Sequence, residues 1–213
     1  EYGAVEITND GGAIVRTGSS SHGQGHHTSW AMIVSQKTGI PMDKIEFRFG
    51  DTDDIERGNG TGGSRSLQVG GTAAQMAAEN VIEIARQKAA DLLEAAPEDV
   101  VLDAATGAFH VVGSPRPSKT WAEIAIASPV ALFAEADFTP EGATFPFGTH
   151  VSVVEVDTET GSVAIVRHIA CDDAGTILNP LIVDGQVHGG VAQGIAQALL
   201  EEVRYDDGGN PIT

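Results

Sequence analysis

The sequence predicts an α+β domain, with β-hairpins and a mixed or antiparallel sheet packed against several helices. Three observations predict it. Paired apolar runs joined by Gly/Asn/Asp turns occur three times along the chain, and stretches of helical periodicity stand between them. The 213 residues, 41% apolar and 20% charged, are enough to bury a real core.

The first hairpin lies within residues 3–18: Ala4-Val5-Glu6-Ile7, the turn Asn9-Asp10-Gly11-Gly12, then Ala13-Ile14-Val15-Arg16. From about Thr28 to Lys37 the apolar residues Trp30, Ile33 and Val34 fall at helical spacing, and Gly39 before Pro41 stops the helix. Lys44 to Phe49 alternates like a strand and leads into an acidic loop, Asp51 to Arg57. A long helix is predicted from about Gln68 to Ala95, with Ala74, Ala77, Ala78, Val81, Ile84, Ala85 and Leu92 on one face and Pro97 ending it.

A second hairpin joins Val100–Leu102 to Ala108–Val112 about Ala105-Thr106-Gly107. Residues 113–147 carry most of the prolines and, apart from a short helix near Trp121 to Ala127, read as a surface connector. The third hairpin runs Val151–Val156, turn Asp157 to Gly161, then Val163–Ile169. A polar loop, Cys171 to Asn179, precedes a helix from about Gly185 to Glu201 that holds Gly189, Gly190 and Gly194. Each glycine there costs roughly 1 kcal/mol relative to alanine. Either tight helix packing or a bound cofactor accounts for them. The chain is read as one truncated domain, 1–213, with subregions 1–96, 97–147 and 148–213.

A net charge of −18, from 12 basic and 30 acidic residues, argues against a general nucleic-acid or anionic-membrane binder. The single cysteine, Cys171, rules out an internal disulfide and suggests a reducing compartment, the cytoplasm. It sits beside Asp172 and Asp173, a setting that favours a packed or half-buried structural thiol over a reactive one. No run approaches the ~20 apolar residues of a membrane span. The chain opens on Glu1 without Met and closes on Gly208-Gly209-Asn210-Pro211-Ile212-Thr213, so it reads as a piece of a longer polypeptide.

Two glycine-rich loops carry the candidate chemistry. Gly23-Gln24-Gly25-His26-His27-Thr28 sets a side-chain amide between glycines at a helix start, where free N–H groups suit an anion. Gly58-Asn59-Gly60-Thr61-Gly62-Gly63-Ser64-Arg65-Ser66 also precedes a helix; Ser64 and Ser66 can donate and Arg65 can pair two phosphate oxygens. An ion pair between Arg65 and the acidic loop is the structural alternative. Neither loop is a P-loop or a Gly-x-Gly-x-x-Gly unit. His22, His26 and His27 do not have zinc-site spacing. Gly18-Ser19-Ser20-Ser21-His22 is not a nucleophile elbow.

Taken in order, Gly23 to Thr28, Gly50-Asp51-Thr52-Asp53 with Gly62 to Ser66, Gly148-Thr149-His150, and Asn179-Pro180 with Gly185-Gln186-Val187-His188-Gly189-Gly190-Val191-Ala192-Gln193-Gly194 form a pattern. It resembles the second molybdopterin-binding region of the molybdenum hydroxylases: xanthine dehydrogenases, aldehyde oxidoreductases and the large subunit of aerobic carbon monoxide dehydrogenase. The resemblance covers nearly the whole chain. It implies a molybdenum-cofactor-binding domain in which a pterin dithiolene, and no protein side chain, holds the metal. Gly23, Gln24, Gly25 and His26 then face the pterin or its metal side. Gly62, Gly63, Ser64, Arg65 and Ser66 take the phosphate or dinucleotide end, and Gln193 and Gln186 are amide partners of the pterin ring.

The resemblance further implies a cytosine dinucleotide form of the cofactor and oxidative hydroxylation of an aldehyde, a purine, carbon monoxide or an N-heterocycle with oxygen from water. Its partners would be the remainder of the large subunit and iron–sulfur and FAD subunits or domains, with self-association of this chain as a further expectation. The family's general base is a glutamate in a Gly-x-Gly-Glu-type motif. No such motif occurs here, so that base is expected beyond residue 213, no residue of this chain is assigned as catalytic, and the chain alone is expected to be inactive. The rival reading is a non-enzymatic acidic interaction module with structural glycine loops.

Overall fold

The structure, a computed structural model, describes residues 1–213. It divides into two compact units, Glu1–Glu141 and Gly142–Thr213.

The first unit is built on β1 (Tyr2–Ile7), β2 (Ala13–Thr17), β3 (Ile45–Arg48) and β7 (Leu132–Asp137), in the order β3-β2-β1-β7. The predicted hairpin forms β1 and β2, and β3 joins parallel to β2 after a crossover through α1 (His26–Thr38). Period-two alternation sends Phe47, Val15, Val5 and Ala134 in one row, and Ile45, Ala13, Ile7 and Leu132 in the next, to one face. That face meets α1 and α2 (Thr72–Leu93) in one core with Trp30, Val34 and the alanines of α2. Small residues allow the close approach: a Cβ placed on Gly3 would lie 2.7 Å from the α2 backbone at Ala73 and Ala74.

The long helix is shorter than its sequence pattern and opens differently. Leu67–Gly71 forms a π-helical turn and the α-helix proper begins at Thr72. Its buried stripe is Ala73, Ala74, Ala77, Ala78, Val81, Ala85, Ala89 and Ala90. Ile84 and Leu92, assigned to that face, are exposed instead. At this short interhelix and helix–sheet spacing, the small side chains face the core and the large ones turn outward.

Within residues 113–147 the expected short helix is present, but 113–137 are not a surface connector; 138–147 form no helix or strand and run largely exposed. Residues 113–137 supply β6 (Ser114–Thr120), α3 (Trp121–Ala127) and the edge strand β7. β4 (Val100–Asp103), β5 (Ala108–Val111) and β6 make a second antiparallel sheet, with Pro115 and Pro117 on its edge strand, where missing N–H groups are tolerated. Thr120 and Glu123 form a capping box on α3. Trp121 packs edge-on against Phe109, with centroids 4.9 Å apart, and its Nε1 donates to the Thr38 carbonyl at 2.9 Å. Burying each such large side chain contributes roughly 1.5–3 kcal/mol.

The second unit contains β8 (Gly148–Val156) and β9 (Val163–Asp172), an antiparallel hairpin with a register shift after Val153, and α4 (Pro180–Leu199). The Asp157 side chain accepts from the amides of Glu159 and Thr160 to close the turn. α4 begins five residues earlier than Gly185, because Asn179 caps it through the Ile182 amide at 3.2 Å and Pro180 fits its first turn. No residue of α4 is buried, and Val151, Val153, Val154, Val156 and Ile169 are all about half exposed. No helix is long and apolar enough to cross a membrane.

Candidate functional site

The two glycine loops leave from one point. After β2 the chain reaches Gly18, whose missing side chain lets Gly58 lie against it: a Cβ on either glycine would stand 2.3 Å from the other's Cα. The Gly60 amide donates to the Gly18 carbonyl at 3.1 Å, the Thr61 hydroxyl donates to the Ser20 carbonyl, and the Ser66 hydroxyl reaches Thr61 Oγ1 at 3.1 Å. Tertiary contact therefore sets the root of the Gln24 loop beside the Gly62–Ser66 loop.

In the first loop Gly23 and Gly25 have φ of 96° and 78°, left-handed values that suit glycine. The Gln24 carbonyl oxygen accepts from the His22 amide, which leaves the side-chain NH2 as a free donor. His26 opens α1 and is 5% exposed, its ring 4.5 Å from that of Trp30. Burial, followed by the neighbouring His22 and His27, lowers its pKa below the usual imidazole value. His27 sits edge-on to Phe47 and Phe49, at 4.9 and 5.3 Å.

In the second loop Gly63 and then Ser64, with φ of 67° and 54°, are both left-handed. Ser64 has a Cβ, so its conformation is strained, and such strain gathers at ligand sites. Ser66 is buried, and the π-helical turn follows directly; such turns recur at functional positions. Arg65 forms none of the chain's ion pairs, so the acidic loop does not neutralise it. No atom of the chain lies within 4 Å of a Cβ placed on Gly62 or Gly63, so the loop offers open backbone.

In the acidic loop Asp54 pairs with Arg16 and Arg48, and the loop's own Arg57 pairs with carboxylates of β7, contacts that sequence reasoning missed. Arg57 holds Asp137 through Nε at 3.0 Å and Nη2 at 2.6 Å, reaches Glu135 at 3.2 Å, and lies 4.5 Å over the Tyr2 ring. Arg16 binds Asp54 at 2.7 Å and Glu6 at 2.8 Å. Beside these pairs a cleft of about 340 Å³ is lined by Thr17, Ser20, Asp51 and Thr52 among others. The only signal in the sequence was the period-two placement of Glu135 and Asp137 in a strand read as connector.

In the second unit Gln186 and Gln193 lie exposed on α4, and Gln193 Nε2 donates to Glu201 at 3.2 Å. The chain brings no atom within 4 Å of a Cβ on Gly185, Gly189, Gly190 or Gly194. Tight packing within their own unit does not account for these glycines. Cys171 is exposed and not packed, because on β9 it belongs to a hairpin that nothing in the unit covers. No three His, Cys, Asp or Glu side chains are grouped to hold a metal.

The chain is a domain of mixed α/β architecture that carries two open, amide- and arginine-bearing loops. The sequence pattern of the family described as molybdopterin cofactor-binding domain matches residues 1–213, and the chain belongs to that family. The carbon monoxide dehydrogenase large chain of Afipia carboxidovorans is 38% identical over 216 residues, covering 98% of this chain and 26% of that protein. Subunit gamma of the 6-hydroxypseudooxynicotine dehydrogenase complex of Paenarthrobacter nicotinovorans is 36% identical, covering 100% of this chain and 28% of that protein. Among solved structures, the Cu,Mo-CO dehydrogenase superposes with a TM-score of 0.86 at 37% identity over 99% of this chain and 27% of that one. Quinoline 2-oxidoreductase from Pseudomonas putida 86 does so at 0.84, with 36% identity over 100% of this chain and 28% of that one. The chain thus spans about a quarter of the length of the relatives it matches, which are dehydrogenase or oxidoreductase chains or subunits.

Proposed function

We propose that this chain is the part of a molybdenum hydroxylase large subunit that holds the molybdopterin cofactor, in its cytosine dinucleotide form, through the two stitched loops. The observation that carries the reading is the paired opening of these loops: a free Gln24 NH2 on one, an unneutralised Arg65 with bare Gly62 and Gly63 on the other. Those groups fit the cofactor. An amide matches the donor–acceptor edge of a pterin, and a guanidinium on open backbone matches a phosphate.

Gln24, with Gly23, Gly25 and His26, contacts the pterin on its metal side. Gly62 to Ser66 hold the phosphate end, and Gln186 and Gln193 serve the pterin ring. The bound group supplies the two-electron redox chemistry that hydroxylates an aldehyde, a purine, carbon monoxide or an N-heterocycle with oxygen from water. This chain's residues bind and orient it. The general base comes from outside these residues, and the remainder of the large subunit, with iron–sulfur and FAD subunits or domains, completes the enzyme.

Metal analysis of the parent enzyme tests the reading. Gln24→Ala and Arg65→Ala are each expected to lower molybdenum content while the circular dichroism spectrum stays unchanged. Full molybdenum occupancy in both variants overturns it.

A further inference from the structure

Residues 54–57 run as a strap across the face of the first sheet that points away from α1 and α2. The register defines that face: Arg48, Arg16, Ala4 and Glu135 are partners in one cross-strand row, and Tyr2 pairs with Asp137 two residues along. The strap meets the four strands in sheet order. Asp54 takes Arg48 of β3 at 3.6 Å and Arg16 of β2 at 2.7 Å. Ile55, 8% exposed, packs on Tyr2 and Ala4 of β1. Arg57 then reaches Asp137 and Glu135 of β7.

The strap ends where the second glycine loop begins. Directly after Arg57, Gly58 lies against Gly18, the Asn59 amide donates to the Glu1 carboxylate at 3.3 Å, and the Gly60 amide donates to the Gly18 carbonyl. Beyond that root the loop has little of its own to fix it, since no atom lies within 4 Å of a Cβ on Gly60, Gly62 or Gly63. Arg57 is the last side chain before the glycines and the most heavily tied. It makes two hydrogen bonds to Asp137, at 3.0 and 2.6 Å, and one to Glu135 at 3.2 Å, with the Tyr2 ring 4.5 Å beneath it. A guanidinium held by a two-pronged carboxylate contact and an aromatic face is fixed in direction, which a lone exposed ion pair is not. The two arginines that flank the glycines therefore differ in kind: Arg57 is committed within the fold, and Arg65 is left for a ligand.

We propose that Arg57 is a positioning residue: it pins the strap to β7 and so sets where Gly62–Ser66, with Arg65 among them, stand. The proposal rests on the phosphate role given above to that loop.

Hydrogen exchange read by mass spectrometry on the parent enzyme, prepared without cofactor, tests the positioning, and molybdenum content of the loaded enzyme is the second readout. Arg57→Ala is expected to raise exchange in the segment 58–66 about fivefold, with β1, β7 and α2 unchanged, and to lower molybdenum content. Asp137→Asn acts in the same direction. Arg57→Lys keeps a charge for Asp137 but loses the fork, and falls between the parent and Arg57→Ala in both readouts. Lys37→Ala, which breaks the exposed pair with Glu79 on the helices, leaves the segment as it was. Unchanged exchange in 58–66, or faster exchange spread equally over β1 and β7, overturns the proposal. Local loosening of 58–66 with full molybdenum content keeps Arg57 in its role and overturns the phosphate role of the loop instead.

Discussion

Gly18 and Gly58 touch backbone to backbone, and a Cβ on either would stand 2.3 Å from the other's Cα. This contact, 40 residues apart in sequence, seats the serine run on the second glycine loop and so assembles the candidate site. Gly58→Ala must push the backbones apart and is expected to destabilise the fold by roughly 1–3 kcal/mol. Gly62→Ala, facing open space, is expected to stay within about 0.5 kcal/mol of the parent. Urea unfolding of both variants checks the contrast, and equal effects would refute the contact's role.

The Arg16 side chain is 11% exposed between Asp54 and Glu6. Arg16→Leu leaves Glu6 without its partner and Asp54 with only Arg48 at 3.6 Å, and is expected to cost about 1–3 kcal/mol, less than for a fully buried pair because both carboxylates remain partly exposed. The Arg16 hydrogen bond is the main reason the Asp54 pKa lies below its ordinary value. That stabilisation is present above the unfolded carboxylate pKa of about 4 and is lost as pH falls through the lower folded value. Stability measured from pH 5 downward is expected to fall less steeply in the variant.

His26 works with the opposite chemistry and a separate window. Its folded pKa is lowered by burial, so it is neutral in both states above about 6.5 and contributes no slope there. Below that value the unfolded chain takes up the proton first, and stability declines until the pH passes the folded pKa. His26→Phe is expected to remove this decline, which sets in below about pH 6.5. An unchanged slope in the variant would exclude His26 as its source.

Val151 and Ile169 face each other across β8 and β9, 49% and 44% exposed. Exposed apolar area of this kind drives association. Light scattering of the isolated chain is expected to show concentration-dependent self-association that Val151→Lys with Ile169→Lys reduces. A parent chain that stays monomeric at every concentration contradicts the expectation.

The local signals were legible wherever turn chemistry and periodicity agreed. Asn9 to Gly12 fixed the first hairpin, and the alternation from Val151 to Ile169 fixed the third. The strands in 113–137 are hidden in the sequence because Pro115 and Pro117 lie on an edge strand and β7 carries only Leu132, Ala134 and Ala136 toward the core, too weak a pattern to stand out. The α2 face was misread at Ile84 and Leu92 because hydrophobicity alone does not report how close the neighbouring sheet lies.

For the site, the residue types and their order were in the sequence: Gln24 between glycines, Arg65 in a glycine loop, amides and glycines along α4. Motif order is a property of the chain, and it was enough for the family. Their environment was not. That the Gln24 carbonyl is spent on His22, that Arg57 and Arg16 pair with the acidic residues while Arg65 stays unpaired, and that His26 is buried with an empty nitrogen depend on contacts between distant segments. Only tertiary packing decides those contacts, because burial and hydrogen-bond partners belong to neighbours in space.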